Sequence, residues 1–268
     1  VNLARRATAE AVGTALLLAG VVGSGIMAQR LAGGNIGIAL LANTLATGGV
    51  LVAIILTFGP ISGAHFNPVV TLCDAWQRGI AWRDVPAYLF AQISGGVIGV
   101  AAANMMFGLP PLFSSQHVRT GGSQWLGEFI ATFGLMAVIW GCSRSRSEVT
   151  PFVVAAYIVG AYWFTSSTSF ANPAVTIARS LSDTFAGIRP VDVLPFVAFQ
   201  LAGAAAATAL FSWFAPSTNR TAEFVATPLE TSPANGSPSQ ADIAPSARSK
   251  NTACSVEIGS TSPSRRNS

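Results

Sequence analysis

Few residues in this 268-residue chain could do covalent chemistry, and none of them cluster. The acids set within long apolar runs are Glu10 and Glu128, the histidines are His65 and His117, and the cysteines are Cys73, Cys142 and Cys254. An enzyme or a metal centre needs acids, imidazoles or thiols converging on one cavity. No spacing here brings them together, so no catalytic residue, no cofactor and no metal is expected. Two amides are more informative. Asn67-Pro68-Val69 and Asn172-Pro173-Ala174 each set an asparagine directly before a proline. Proline is favoured at the first position of a helix and asparagine as the cap before it. Each box therefore starts a helix, with the amide oxygen capping the backbone and the NH2 group left to donate. Each helix N-terminus adds about half a positive charge. Such groups bind neutral oxygen-bearing species and repel cations; they do not break bonds.

The elements that hold these boxes follow from composition. Only 10% of residues are charged, 51% are hydrophobic and mean hydropathy is +0.51, against roughly 25% charged in a soluble domain. No Asp, Glu, Lys or Arg occurs in 31–73, 85–118 or 149–178. A soluble fold cannot cover its surface in this way. The net charge of +4 comes without a basic cluster in the apolar part, which argues against a nucleic-acid partner. Three cysteines in a long chain exclude a disulfide scaffold. A polytopic protein of the lipid bilayer remains. Segments of the roughly 20 residues needed to cross it fall at about 8–28, 36–57, 84–107, 123–142, 150–165 and 191–214. Arg5 and Arg6 before the first segment would also suit a cleavable signal. The run Ala11–Gln29 is too long for a signal core, however, and Glu10 stands at its head.

Six crossings return both termini to one side. That side receives Arg5, Arg6, Arg78, Arg83, Arg144, Arg146 and Arg220, against Arg30, Arg119, Arg179 and Arg189 on the other. The bias places the termini in the cytoplasm. Residues 1–214 form the membrane domain. From 215 to 268 Ser, Pro and Ala dominate and Phe224 is the only aromatic. Such a segment buries too little apolar surface to offset its ordering entropy and is expected to be disordered.

The membrane domain repeats itself. Ala9-Glu10-Ala11-Val12-Gly13-Thr14 matches Gly127-Glu128-Phe129-Ile130-Ala131-Thr132, the two Asn-Pro boxes match, and Gln92-x-x-Gly95 matches Gln200-x-x-Gly203. The order is the same in repeat one (about 5–107) and repeat two (about 123–214). Each repeat holds three crossings, an odd number, so the second runs inverted. The helix from Pro68 can reach only about Arg78, and ten residues span about 15 Å, half the hydrocarbon thickness. The helix from Pro173 is no longer. The expected fold is all-α: six transmembrane helices plus two re-entrant half-helices in an inverted 3+3 repeat, meeting N-terminus to N-terminus near the midplane. The approaches Ile61–Phe66 and Ser166–Ala171 are rich in small residues. Irregular backbone at that depth is tolerated where it lines a wet cavity.

The stretch Ser62-Gly63-Ala64-His65-Phe66-Asn67-Pro68-Val69-Val70-Thr71 resembles the first signature of the aquaporin and aquaglyceroporin (major intrinsic protein) family, and Asn172-Pro173-Ala174 resembles the second. Glu10, Glu128 and the Gln-x-x-Gly pairs fit as well. The resemblance covers about 5–214. It implies a pore in each subunit of a homotetramer, through which solutes diffuse without a coupling ion. It places the carbonyls of Gly63, Ala64, His65, Thr168, Ser169 and Phe170 along one wall, with apolar positions such as Leu51 and Ala156 opposite. Counted from the boxes, the family's outer selectivity filter falls on Thr47, Gly160, Ser169 and Val175. Most members carry Arg at the last position and an aromatic at the first. A wide, weakly polar, uncharged constriction is therefore expected. It suits small neutral solutes: glycerol-type polyols, urea, water and undissociated metalloid hydroxides such as arsenous acid. The combination resembles a bacterial branch linked to arsenic resistance, which implies a bacterial inner (plasma) membrane. A water-selective pore is the alternative. An ion-coupled transporter is more remote, since it would need intramembrane charge beyond the two glutamates.

The remaining polar residues have quieter expected roles. Glu10 and Glu128 brace the half-helix loops rather than carry protons. His65 is either a pH sensor or a packing residue beside the first box, and His117 is a solvated loop residue. Gly95-x-x-x-Gly99 serves a close helix crossing within the subunit, and the cysteines are incidental thiols. Arg179 is expected about two turns beyond Val175, anchoring the second loop rather than facing the pore. The extra methyls of Val69, where the family has alanine, either shift the junction of the boxes or are accommodated.

Overall fold

The computed structural model describes residues 1–145 and 147–214. The expected tail, 215–268, and with it Arg220, lies outside the described residues, as does Arg146. All regular structure among the described residues is helical: α1 (Leu3–Leu31), α2 (Ile36–Ser62), α3 (Pro68–Trp76), α4 (Val85–Met106), α5 (Gly122–Ser145), α6 (Thr150–Phe164), α7 (Pro173–Arg179) and α8 (Pro190–Phe214). Six of these, α6 together with the 3-10 turn Ser147–Val149 that leads into it, are long and apolar enough to cross a membrane. The other two, α3 and α7, have nine and seven residues and begin at the prolines of the two boxes. Asparagine caps recur beyond the boxes. Asn2 accepts from the Arg5 N–H at 3.0 Å and Asn35 from the Ile38 N–H at 3.1 Å, each meeting a donor that the first helical turn leaves unsatisfied.

Packing repeats between the two halves. In the first repeat α1 packs most extensively on α4; in the second, α5 packs on α8 in the same way. The long helices are apolar on all sides, so amphipathicity cannot select these faces. Small residues select them by letting backbones approach. A Cβ added at Gly95 would stand 2.2 Å from the Ala11 carbonyl oxygen, and one at Gly99 would stand 2.2 Å from that of Ala15. In the second repeat a Cβ at Gly203 would meet the Phe129 carbonyl oxygen at 2.3 Å. The most extensive contact between the repeats runs between α2 and α6, and α4 with α7 and α3 with α8 add to it.

The ends of the bundle are polar. On the side of the chain termini, Arg6 donates to Asp84 at 3.2 Å and to the Tyr88 hydroxyl at 2.8 Å. On the far side, Arg189 pairs with Asp192 at 3.0 Å. Trp76, Trp82 and Trp213 are exposed near the terminal side and Trp163 near the far side, as the ring belts of a membrane protein are. Between the ends, exposed Phe90, Ile98 and Leu194 face outwards.

These close crossings set a direct test. Gly99→Leu drives a side chain into helix backbone that cannot yield, and the folded yield in detergent should collapse. At Gly49 an added Cβ meets nothing within 4 Å. Gly49→Ala should therefore melt at or above the wild-type temperature, because alanine costs less helix entropy.

Candidate functional site

The site is built from the two stretches that precede the half-helices. Their backbone is unusual. Ala64 (φ 50°), Phe66 (48°), Thr168 (60°), Ser169 (51°) and Ala171 (49°) all adopt positive φ without being glycine. Such residues are uncommon and cost energy, so something must hold them. Two carboxylates do. Glu10, fully buried, accepts from the His65 N–H at 3.0 Å, the Phe66 N–H at 2.6 Å, the Ser62 hydroxyl at 2.6 Å and the Gln92 amide at 2.8 Å. Glu128, equally buried, accepts from the Phe170 and Ala171 N–H groups at 2.9 Å each and from the Gln200 amide at 2.6 Å. The two glutamines then donate to matching threonines, Gln92 to Thr71 and Gln200 to Thr176, both at 2.9 Å. The two halves of the site share this glutamate, glutamine and threonine pattern, and the Ser62 hydroxyl on Glu10 is the addition in the first.

The boxes interlock. The Asn67 Oδ1 accepts from the Val69 N–H at 3.0 Å, and its Nδ2 donates across to the Ala171 carbonyl at 2.8 Å. The Asn172 Oδ1 accepts from the Ala174 and Val175 N–H groups at 2.9 and 3.3 Å, and its Nδ2 donates to the Phe66 carbonyl at 2.7 Å. One amide hydrogen of each asparagine is thus committed to the opposite loop. The other is left over, and both asparagines line the cavity between the half-helices. Val69 is fully buried in an apolar cluster with Met136, Trp140 and Ala207 and is not among the residues lining that cavity.

The cavity has a volume of about 300 Å3. One wall is the re-entrant backbone: Gly63, Ala64, His65 and Phe66 in the first repeat, and Ser169, Phe170 and Ala171 in the second. Thr168 is not in the lining; its hydroxyl accepts instead from Arg119 at 3.4 Å. The opposite wall is apolar, with Leu17, Val21, Leu51, Leu135, Val154 and Ile158. Thr47 and Val175 also line the cavity, and Thr47 turns its hydroxyl to the Asn43 carbonyl at 2.8 Å.

Helix α6 departs from the expected register. Gly160 and Ala156 are exposed on its outer face and do not line the cavity. The lining positions are Thr150, Val154, Ile158 and Tyr162, four residues apart and so one stripe of a helix at 100° per residue. Gly160 sits half a turn away from both Ile158 and Tyr162. Counting back from Asn172 assumed a connecting loop of fixed length. Here the helix ends at Phe164 and the lining aromatic stands ten residues before the asparagine. Tyr162 thus adds an aromatic residue to a lining that also includes Phe66, Trp140 and Phe170.

Arg179 was expected about two turns beyond Val175 as a pure anchor. It is four residues away, which is one turn. It anchors, through an Nε donation to the Ala186 carbonyl, and it also lines the cavity. Its guanidinium carbon stands 3.4 Å from the centre of the Phe170 ring. Arg119, from the loop before α5, stands 4.9 Å from the same ring and donates to the Gly187 carbonyl at 2.7 Å and the Ser167 carbonyl at 3.2 Å. Burial brings the Arg119 pKa down to about 10, which leaves it charged at neutral pH. At the terminal end of the cavity Asp74 lies 3.6 Å from the His65 Nε2. Tyr162 was legible in the four-residue periodicity of α6. Asp74 was legible too, one turn beyond Val70 on the same face of α3; Arg119 carried no sequence signal, since loop folding brings it beside the site.

His65 sits among its neighbours as a packing residue would, with Nδ1 3.1 Å from the Thr71 hydroxyl and its ring 5.4 Å from that of Tyr88. His117 is exposed. Cys73 is buried and Cys142 half-buried, both as free thiols. Cys254 lies outside the described residues.

Comparisons with known proteins bear on the fold and the family. The family model described as major intrinsic protein matches residues 1–171. The aquaglyceroporin AqpS of Rhizobium meliloti is 53% identical over 212 residues, covering 79% of this chain and 91% of its own length. Aquaporin NIP1-1 of Oryza sativa subsp. japonica is 34% identical over 164 residues, covering 57% of this chain and 55% of its own. Among solved structures, the aquaglyceroporin from Plasmodium falciparum superposes with a TM-score of 0.57 at 21% identity, covering 80% of this chain and 95% of its own. At that identity the likeness is one of fold.

The carboxylate braces can be tested on their own. Glu128→Gln puts an NH2 group where only acceptors fit, against at least one of three donors. An unsatisfied or opposed buried group costs about 1–3 kcal/mol. The variant should melt below wild type in detergent, and Glu10→Gln should do the same.

Proposed function

Because this chain belongs to the major intrinsic protein family, we propose that its pore is a broad one, passing glycerol-type polyols and undissociated metalloid hydroxides such as arsenous acid as well as water. The protein is an integral membrane channel for small neutral solutes and not an enzyme. The observation that carries the broader range is Val175. It lines the cavity where most members of the family hold an arginine, and Thr47 stands where they hold an aromatic. Two small side chains leave cross-section for a three-carbon solute. The polar wall supports the same reading. Consecutive carbonyls accept from hydroxyls while Asn67 and Asn172 donate, so a polyol exchanges its hydration shell for fixed partners along one side. Its carbon backbone faces Leu51, Val154 and Ile158 on the other.

Protons and alkali cations meet two half-helix N-termini aimed at the midplane, each worth about half a positive charge. That field acts where little water screens it. We include in the proposal a homotetramer, which rests on the family resemblance, and cytoplasmic termini in a bacterial plasma membrane, which the arginine excess on the terminal side supports.

Stopped-flow measurements on proteoliposomes test the solute range. Wild type should carry glycerol and arsenous acid down their gradients without nucleotide or a coupling ion. Val175→Arg narrows the constriction and should cut glycerol flux at least about tenfold, water flux less. Glycerol flux untouched by that substitution would remove position 175 from the constriction. Glycerol exclusion beside fast water flux in wild type would decide for a water-selective pore.

A further inference from the structure

We infer that Arg179 supplies, from one turn farther along α7, the guanidinium that position 175 lacks, and that with Ser169 it forms a hydroxyl-binding subsite which also bars cations. The inference deepens the channel reading above and rests on it.

The starting observation is an unmet donor. Arg179 is 2% exposed and lines the cavity, and its Nη1 has no hydrogen-bond partner among the described residues. A buried guanidinium N–H without a partner is costly. The rest of the side chain is fixed. Nε donates to the Ala186 carbonyl, and the group lies over the Phe170 ring. Arg179 is thus tethered, with a donor to spare beside an open space. A second unmet polar atom lies next to that ring in sequence. The Ser169 hydroxyl is also buried, also lines the cavity and also has no partner. A solute hydroxyl could accept from Nη1 and exchange a hydrogen bond with Ser169. Neutral solutes bearing an oxygen acceptor satisfy this pair; alkali and ammonium ions do not.

The neighbouring guanidinium does not compete for the role. Arg119 spends its donors on the Gly187 and Ser167 carbonyls and the Thr168 hydroxyl, and it is absent from the cavity lining. It still adds its charge. Two guanidiniums approach the Phe170 ring, and one buried carboxylate, Glu128, accepts from the backbone of the same stretch. A second buried carboxylate, Asp192, accepts the Arg119 backbone N–H but is paired with Arg189, so the two guanidiniums at the ring still outnumber the carboxylate left to them. Asp74, on the other half-helix, and His65, in the stretch before it, lie at the opposite end of the cavity. A fixed positive charge beside a constriction with little water repels cations strongly. The filter is wide because residue 175 is valine, yet it is charged because residue 179 is arginine.

Planar-bilayer and proteoliposome measurements on the full chain test this. Arg179→Met, with elution and melting as in wild type, should raise potassium conductance at least about tenfold. Val175→Arg combined with Arg179→Met should bring conductance back to the wild-type level while glycerol flux falls, because the charge is restored at the narrower position. Ser169→Ala breaks no hydrogen bond within the protein, so a purely structural serine would leave transport unmoved. It should lower the ratio of glycerol to propane-1,2-diol flux about threefold, the loss of one hydrogen bond. Wild-type potassium exclusion in the folded Arg179→Met variant overturns the barrier. Should that variant fail to fold, an unchanged flux ratio in Ser169→Ala overturns the subsite. A wild-type protein without any glycerol flux would instead defeat the channel's proposed solute range and leave the location of the charge to the conductance measurement.

Discussion

Two buried carboxylates make the rest of this molecule possible. A half-helix that stops at the midplane must be fed by backbone that is neither helix nor strand, in a medium without water to satisfy it. Here that backbone includes five non-glycine residues at positive φ, from Ala64 to Ala171. Each costs on the order of 1–3 kcal/mol. Glu10 and Glu128 each accept two of the N–H groups in these stretches and one glutamine amide. Hydrogen bonds to a charged acceptor contribute about 1.5–3 kcal/mol, so braces and strain are of the same size. The carbonyls of the held stretches then turn to the cavity because the N–H groups have been turned away from it.

From this constraint the two-sided character of the pore follows. The backbone that accepts hydrogen bonds occupies one wall, and long helices supply side chains to the other. Those helices can afford leucine, valine and isoleucine there because a solute needs polar partners on one side only. The boxes lock by exchanging amide donations, Asn67 to Ala171 and Asn172 to Phe66. Each loop is thereby held by a carboxylate from its own repeat and an asparagine from the other. Loss of either brace would loosen both half-helices.

The inverted repeat is close to exact at the centre and broken towards the ends. Glutamate, glutamine, threonine and asparagine superimpose in role. Away from the midplane one end of the cavity carries Asp74 and His65, and the other carries Arg179 with Arg119 behind it. The symmetric part serves the fold and the shared midplane chemistry. The asymmetric part sets charge along the axis, and selectivity among solutes belongs there.

Local chemistry and repetition made much of this legible in the chain alone. Proline after a capping asparagine starts a helix wherever it occurs, and charge-free runs of twenty residues have few fates besides a bilayer. Matched Glu, Asn-Pro and Gln-x-x-Gly positions in two halves of odd crossing number require inversion. Two placements were not accessible. Gly160 was put in the pore by counting back through a loop, but loop length does not fix helix rotation, and a two-residue offset turns a position through 200°. Tyr162 lines the cavity instead. Arg179 lies one turn from Val175, and whether its side chain anchors a loop or faces a cavity depends on what the Ala186 carbonyl and the Phe170 ring leave free. Sequence spacing specifies which residues share a face of one element; which face meets the pore is settled by packing between elements, and long-range contacts of that kind leave no local trace.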